Sequence, residues 1–510
     1  MQVVRSYLEG RWIAGTGEGQ ALHDAATGEV IATTSTTGLD LGAGLAYGRS
    51  VGGASLRAMS FAARGEVLKR LAEALHGARD ELIELGRVNS GNTRGDAKFD
   101  VDGASGTLAW YAALGAKLGE RTFLLDGGQE PVGRSARFAG QHVFLPRRGV
   151  AIHINAFNFP AWGLCEKVAV ALLAGMPILS KPATSTALVT ARIVELWTEK
   201  GLLPDGALSL LAGPAGDLLD HVGPQDVIAF TGSGDTGARI RANPAVLRWN
   251  VPVNVEADSL NASVLGPDVE IGSETFGMFV SDVVRDLTQK AGQKCTAVRR
   301  VIVPEAHAEA VIEALVDRLS QSAMGNPNDK GTTVGPLATA SQQRDVNARL
   351  DQLAEVAEMV WKAGNVPGEG YFVAPRLFRA DGGVDAPFVH DHEVFGPVAT
   401  VLPWPGDAAG AVAMVARGGG MLVTSVYTDD VAWAREAVLG IAPYNGRVVW
   451  GSKKIHDQSV GPGTVLPGFV HGGPGRAGGG EELGGERGMR LYWQRTALQG
   501  DKALLERILT

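Results

Sequence analysis

Cys295 stands in QKAGQKCTA (289–297), a stretch of small and polar residues with Lys290 and Lys294 close in sequence. A thiol beside cations gives up its proton more readily, and the thiolate is the nucleophile, so Cys295 is a candidate for covalent catalysis. The other cysteine, Cys165, lies in the apolar run PAWGLCEKVAVALL (160–173) and reads as a packed small side chain. Glu256, in VNVEADSLN (253–261), offers a carboxylate able to move protons. It also follows FTGSGDTG (230–237), whose Gly232, Gly234 and Gly237 form a literal G-x-G-x-x-G. An ordinary dinucleotide fingerprint would therefore make Glu256 a ribose ligand. The string His390, Asp391, His392, Glu393 has metal-binding residue types but lacks a second ligand group at a fixed spacing, so no metal is expected.

These residues need a large scaffold, and 510 residues supply two to four domains' worth of core. Hydrophobic residues at 45% and charged residues at 20% fit a folded globular chain rather than a disordered or fibrous one. The formal charge of −8 argues against nucleic acid or an anionic membrane as the main partner. The apolar run Val168 to Leu179 is too short to span a bilayer, and the first residues lack a signal-peptide pattern. With two cysteines that form neither a CxxC nor a disulfide framework, the expected location is the reducing cytoplasm.

Residues 7–31 read as short strands split by glycine-rich turns, and 62–89 as helix. From 143 onward, strand-like runs alternate with amphipathic stretches: VFLPRRGVAIHI, a helix over 160–173, PILSK, a helix over 187–200, LSLLAG and VIAFTG. This alternation predicts a parallel sheet covered by helices. A helix over 276–290 then leads directly to Cys295, and VIAF followed by a helix from Asp235 would present N–H groups beside Ser233 as a phosphate cradle. The stretch HGGPGRAGGGEELGGERG (471–488) has the composition of a flexible loop.

Seven stretches in order, NAFNFPAW (155–162), SKPATS (180–185), FTGSGDTG, VNVEADSLN, GQKCTA (292–297), GNPNDKGTTVGPL (325–337) and HEVFGPV (392–398), resemble the aldehyde dehydrogenase superfamily over nearly the whole chain. The resemblance implies an α/β fold with a Rossmann-like cofactor domain, an α/β catalytic domain and a β-ribbon for oligomerisation. The corresponding segments are 1–120 with 143–253, then 254–460, and 121–142 with 461–510; a homodimer is implied. Cys295 would attack the aldehyde carbon, and Asn158 with the Cys295 backbone N–H would receive the oxyanion. Glu256 becomes the base that activates water against the thioester, which points to an acid product. Lys167 matches a lysine beside that base, and Glu482 an acid of the C-terminal glycine loop. Gly232 and Ser233 would contact the pyrophosphate, while Glu393 and Phe395 would hold the nicotinamide ribose and flank the ring.

Lys181 and Thr184 occupy the positions that meet the adenosine ribose in the family, where NAD-preferring members often carry an acid at the second. A hydroxyl there removes repulsion against a 2′-phosphate and Lys181 adds the opposite charge, so NADP is the expected cofactor. Thr184 could equally cap the following helix. NAFNFPAWGLCEK and the C-terminal glycine-rich stretch resemble the branch that handles CoA-linked semialdehydes in aerobic aromatic breakdown. Some members carry a hydratase domain that would lie beyond residue 510, and the stand-alone form is expected here. Three alternatives stay open: a broad aliphatic aldehyde dehydrogenase, a nucleotide-independent cysteine esterase, and a catalytically silent relative.

Overall fold

A computed structural model describes residues 2–509; the outermost residues of the expected terminal segments, 1 and 510, lie outside the described residues. Two seven-stranded sheets dominate. In the first, Val253–Glu256, Val227–Thr231, Ala151–Ile154, Ile178–Lys181 and Leu208–Leu210 run parallel in that spatial order, and Ser6–Leu8 and Arg11–Ile13 extend it antiparallel. The second runs Glu358–Lys362, Arg376–Arg379, Val398–Trp404, Arg300–Pro304, Ala262–Leu265, Met421–Tyr427, Asn445–Gly451, parallel except for its first pair. Near-continuous apolar strands follow from burial on both faces, the condition that parallel sheets require.

Helices were legible where their periodicity was strong. Trp162–Ala174 is apolar apart from the Glu166–Lys167 pair because most of its surface is buried, and it stops at Gly175, which adopts a left-handed conformation. Its first turn is capped by the Asp100 carboxylate, which accepts from the Ala161 and Trp162 N–H groups at 3.2 and 2.8 Å. Ala187–Glu199 and Glu274–Thr288 lie within a residue or two of their expected positions. The 62–89 run is two helices, Phe61–Gly77 and Arg79–Ser90, broken at Ala78.

A third sheet pairs Leu124–Pro131, Phe138–Pro146 and Trp493–Asp501 antiparallel. The middle strand reaches residue 146, past the expected boundary at 143. The 471–488 stretch is not a flexible loop: Val470–Gly472 and Glu481–Leu483 pair antiparallel with His471 opposite Glu482. Its glycines are a packing requirement, since a Cβ on Gly478 would stand 2.2 Å from the Val255 carbonyl oxygen and one on Gly480 2.6 Å from Asn254 Oδ1. Glycine lets the hairpin lie directly on the edge strand Val253–Glu256.

Candidate active site

Helix Glu274–Thr288 delivers the chain to Cys295 through a tight turn in which Lys290 and Ala291 have φ of 55° and 51°. Left-handed conformations at non-glycine residues cost about 1–3 kcal/mol each and persist only where surroundings fix them. Here the Lys290 ammonium donates to Asn92 Oδ1 at 3.0 Å and lies 4.5 Å from the Phe159 ring centroid, tying the turn to the NAFNFP loop. Asn261 Nδ2 donates to the carbonyls of Cys295 and Ala297 at 2.7 and 2.9 Å, and the Thr296 hydroxyl donates to Gly463 O at 2.9 Å. The thiol is therefore held from both sides of its own residue.

The lysines do not serve the thiol as their spacing suggested. Lys294 donates to Asp286 at 2.6 Å and to Gln289 at 2.9 Å, while Lys290 faces Asn92, Asp96 and Asp100. Burial pushes the Cys295 thiol well above its ordinary pKa, and the Glu256 carboxylate pushes it further. Cys165 is wholly buried, consistent with packing.

Glu256 ends its strand beside Cys295, and its Oε1 lies 3.1 Å from His471 Nε2; the same nitrogen is 3.8 Å from Cys295 Sγ. Burial alone would raise the Glu256 pKa, but His471 and Lys167 overcome it and hold the carboxylate below its usual range. Lys167 is buried, with its Nζ 3.0 Å from Glu482 Oε2, 3.2 Å from Glu166 Oε1 and 2.9 Å from the Thr231 hydroxyl. Asn254 Nδ2 donates to Glu482 Oε1 at 3.2 Å. Burial raises Glu166 to about 7 against the pull of Lys167. Asn158 Nδ2 donates to the Gln293 carbonyl at 3.0 Å, which aims the amide along the wall that carries Cys295.

Two cavities meet at this point. One, of about 480 Å³, runs past Gly232, Ser233, Asp258, Arg349, Glu393 and Phe395. The other, about 40 Å³, is walled by Phe99, Phe159, Trp162, Glu166, Val465 and His471. Asn158, Glu256 and Cys295 line both. A nucleophile, an amide donor and a carboxylate at the junction of two cavities can bring two reactants to one sulfur. Residues 12–496 match the Aldehyde dehydrogenase family.

The chain belongs to the aldehyde dehydrogenase family. It is 44% identical over 477 residues to the 3,4-dehydroadipyl-CoA semialdehyde dehydrogenase of Aromatoleum evansii, covering 92% of each chain. Against the betaine aldehyde dehydrogenase of Bacillus subtilis (strain 168) it is 27% identical over 406 residues, 78% of this chain and 79% of that one. The crystal structure of PnpE in complex with nicotinamide adenine dinucleotide superposes with a TM-score of 0.84 at 25% identity over 98% of both chains. An NAD-dependent aldehyde dehydrogenase from Sinorhizobium meliloti gives a TM-score of 0.85 at 21% identity, over 98% of this chain and 95% of that one. The fold is thus the aldehyde dehydrogenase fold, and the family works with a nicotinamide dinucleotide.

The larger cavity of this aldehyde dehydrogenase fits such a group. Helix Gly234–Arg241 opens on it with Ser233 at its cap, and a Cβ on Gly232 would stand 2.5 Å from the Phe230 ring. The Gly234 N–H at the start of that helix donates to Asp258 Oδ1 at 3.1 Å. Glu393 accepts from Arg299 Nε and the Ser259 N–H, each at 3.2 Å, and burial raises it to about 7. Arg299 lies 5.3 Å from the Phe395 ring centroid. Lys181 and Thr184 do not line the cavity wall themselves; Ala183 between them does. Lys181 ends its strand half-buried, and burial lowers its pKa to about 8 with no carboxylate among the causes. Thr184 does not cap the following helix: Thr186 precedes that helix and donates its hydroxyl to Phe157 O.

Sequence reasoning missed three groups here. His471 was hidden in a glycine-rich stretch, Glu166 beside Lys167 in an apolar helix, and Asp258 two residues after Glu256. Only Asp258 had a usable signal, as a second acid in a recognised motif. Among the described residues, no helix is long and apolar enough to cross a membrane.

Proposed function

We propose that the protein oxidises a CoA-linked semialdehyde to the carboxylic acid, with NADP as the hydride acceptor. The observation that carries this reading is the placement of Cys295, Glu256 and Asn158 at the join of the two cavities. The relative at 44% identity is named for a CoA-linked semialdehyde, 3,4-dehydroadipyl-CoA semialdehyde, which supports that substrate class; a place in benzoate degradation is proposed on the resemblance of NAFNFPAWGLCEK and the C-terminal glycine-rich stretch alone.

In this mechanism the Cys295 thiolate attacks the aldehyde carbon from the smaller cavity. Asn158 Nδ2 and the Cys295 backbone N–H stabilise the oxyanion; one preorganised donor of this kind contributes about 3–4 kcal/mol to a transition state in other enzymes. The nicotinamide ring, when bound, supplies the acceptor for the departing hydride. A thioester then remains on Cys295. Glu256, ionised beside His471, takes a proton from the water that cleaves it. Lys167 holds Glu482 in place through their ion pair and, with His471, keeps Glu256 charged. Gly232 and Ser233 would cradle the pyrophosphate, and Glu393 and Phe395 would hold the nicotinamide end. Lys181, a half-buried cation with no acid against it, supports recognition of a 2′-phosphate, with Thr184 as its neighbour.

The parts are assigned as 1–120 with 143–253 for the cofactor, 254–460 for catalysis and the ribbon for assembly. A homodimer is supported by the ribbon's exposed apolar residues Phe138 and Leu145, which a partner would cover. The protein is proposed to work in the cytoplasm. The test is to follow reduced-cofactor absorbance with NADP and NAD, each against a CoA-linked semialdehyde and linear free aldehydes. The reading expects NADP with the CoA-linked substrate to be best. Equal or better use of NAD overturns the cofactor, preference for free aldehydes overturns the substrate, and ester turnover without nucleotide as the sole activity overturns the reaction.

A further inference from the structure

A buried thiol facing a carboxylate is a poor nucleophile, yet the surrounding cations are committed elsewhere. Lys294 pairs with Asp286, Lys290 with Asn92 near Asp96 and Asp100, and Lys167 with Glu482 and Glu166. Arg299 pairs with Glu393, and the Arg447 guanidinium, though within electrostatic reach of Cys295, donates to the Thr464 and Pro462 carbonyls. His471 is different. Its Nε2 lies between Sγ and Glu256, and its Nδ1 is buried with no hydrogen-bond partner among the described residues. A carboxylate oxygen of Glu256, Cys295 Sγ and a ring nitrogen of His471 all fall within 4.8 Å of one another. The hairpin fixes this geometry, because His471 and Glu482 are directly opposite each other and so share one face of the ribbon.

We propose that His471 is a catalytic residue: its Nε2 takes the Cys295 thiol proton, and the resulting imidazolium, flanked by Sγ and Glu256 at that same nitrogen, holds the thiolate as an ion pair. This rests on the assignment of Cys295 as nucleophile. The Sγ–H bond breaks, an Nε2–H bond forms, and the electron pair left on sulfur is the one that attacks the carbonyl carbon. When water later cleaves the thioester, the same imidazolium faces the departing thiolate. The groups that face His471 are Glu256, Glu166 and Cys295, with Arg447 opposing from the far wall, and the carboxylates prevail, so its pKa lies above the ordinary histidine value despite burial. The arrangement pairs a nucleophile with a base, but the acid sits at the nitrogen that faces the sulfur rather than behind Nδ1, so Glu256 stabilises the imidazolium once it forms and does not fix its tautomer. It also gives the glycine-rich stretch a function: the glycines bring an imidazole against the edge of the cofactor sheet.

The test is alkylation of the apoenzyme by iodoacetamide across pH, which needs neither nucleotide nor CoA substrate. Cys165 is wholly buried, and Cys295→Ala supplies the background. In the His471→Gln and His471→Asn variants the midpoint of alkylation is expected to rise by at least about one pH unit, which lowers the thiolate fraction near neutrality about tenfold. A midpoint within about 0.3 units of the wild type in either folded variant overturns the proposal, even if turnover falls, because a merely structural histidine would slow turnover without moving this profile. If the wild-type Cys295 itself is not alkylated above background, the nucleophile assignment fails instead. Should both variants fail to fold, histidine-labelled wild-type enzyme gives the answer by NMR. The imidazole signal of His471 must shift when Cys295 is S-methylated, and an unmoved signal overturns the pairing.

Discussion

Raising the pH from about 7 to about 9 should weaken NADP binding tenfold while leaving NAD almost untouched. The reasoning starts from Lys181, whose pKa of about 8 reflects burial without a counter-charge. A bound 2′-phosphate would raise that pKa, so binding takes up a proton above pH 8 and affinity falls as pH rises. If only the protonated form binds well, the apparent dissociation constant scales as one plus ten to the power of (pH minus 8). That factor is about 1.1 at pH 7 and about 11 at pH 9. The phosphate itself, its second pKa being about 6, is about nine-tenths doubly ionised at pH 7 and almost fully so at pH 9, so it changes the slope by only about a tenth. Calorimetric titration of the apoenzyme with each nucleotide reads the effect directly. Lys181→Met should abolish the slope and cost NADP a charge-assisted contact, about 1.5–3 kcal/mol or about 10–150-fold. A parallel loss for NAD, or a flat NADP profile in the wild type, would refute the role given to Lys181.

Other consequences follow from the same geometry. Asn158→Ala should lower kcat by about 10²–10³ with little change in cofactor affinity, read by steady-state kinetics and nucleotide titration; an unchanged kcat removes Asn158 from the oxyanion site. Lys167→Met strands Glu482, Glu166 and Glu256 together in the interior and should destabilise the protein by about 3–5 kcal/mol at pH 8. That deficit should shrink as pH falls from about 8 toward 7, because without the pull of Lys167 the Glu166 carboxyl rises above its wild-type value of about 7 and takes up a proton in that range, and Lys167→Met with Glu482→Gln should recover part of it; denaturant unfolding at two pH values checks both. Gly478→Ala drives a Cβ to 2.2 Å from the Val255 carbonyl at φ +103°, so both melting temperature and kcat should drop. Gly479→Ala, at φ +74° with nothing within 4 Å, should cost only about 1 kcal/mol and leave kcat intact.

What the sequence made legible was whatever local chemistry or periodicity encodes. The helices at 187–199 and 274–288 announce themselves by one apolar face, and Cys295 and Glu256 stand in motifs that resemble a known family. What it hid was long-range. Lys290 and Lys294 neighbour the thiol along the chain but turn to partners on other elements, so sequence adjacency suggested a lowered thiol pKa where burial and Glu256 raise it. The glycine spacing in FTGSGDTG suggested a ribose acid at Glu256. The structure instead gives each glycine a packing reason, with Gly232 against Phe230 and Gly237 against Val255. His471 was invisible because glycine-rich composition describes flexible loops and tightly packed hairpins equally well. Only the pairing with Glu482 and the carbonyl of Val255 beneath it distinguish the two.

The central claim is covalent turnover at Cys295 with hydrolysis assisted by Glu256. The most direct measurement is mass spectrometry of the Glu256→Gln variant after rapid mixing with NADP and the CoA-linked semialdehyde. The account predicts about one equivalent of reduced cofactor per site and an acyl mass on the peptide that carries Cys295. Full steady turnover in that variant, or cofactor reduction that survives Cys295→Ala, would contradict it.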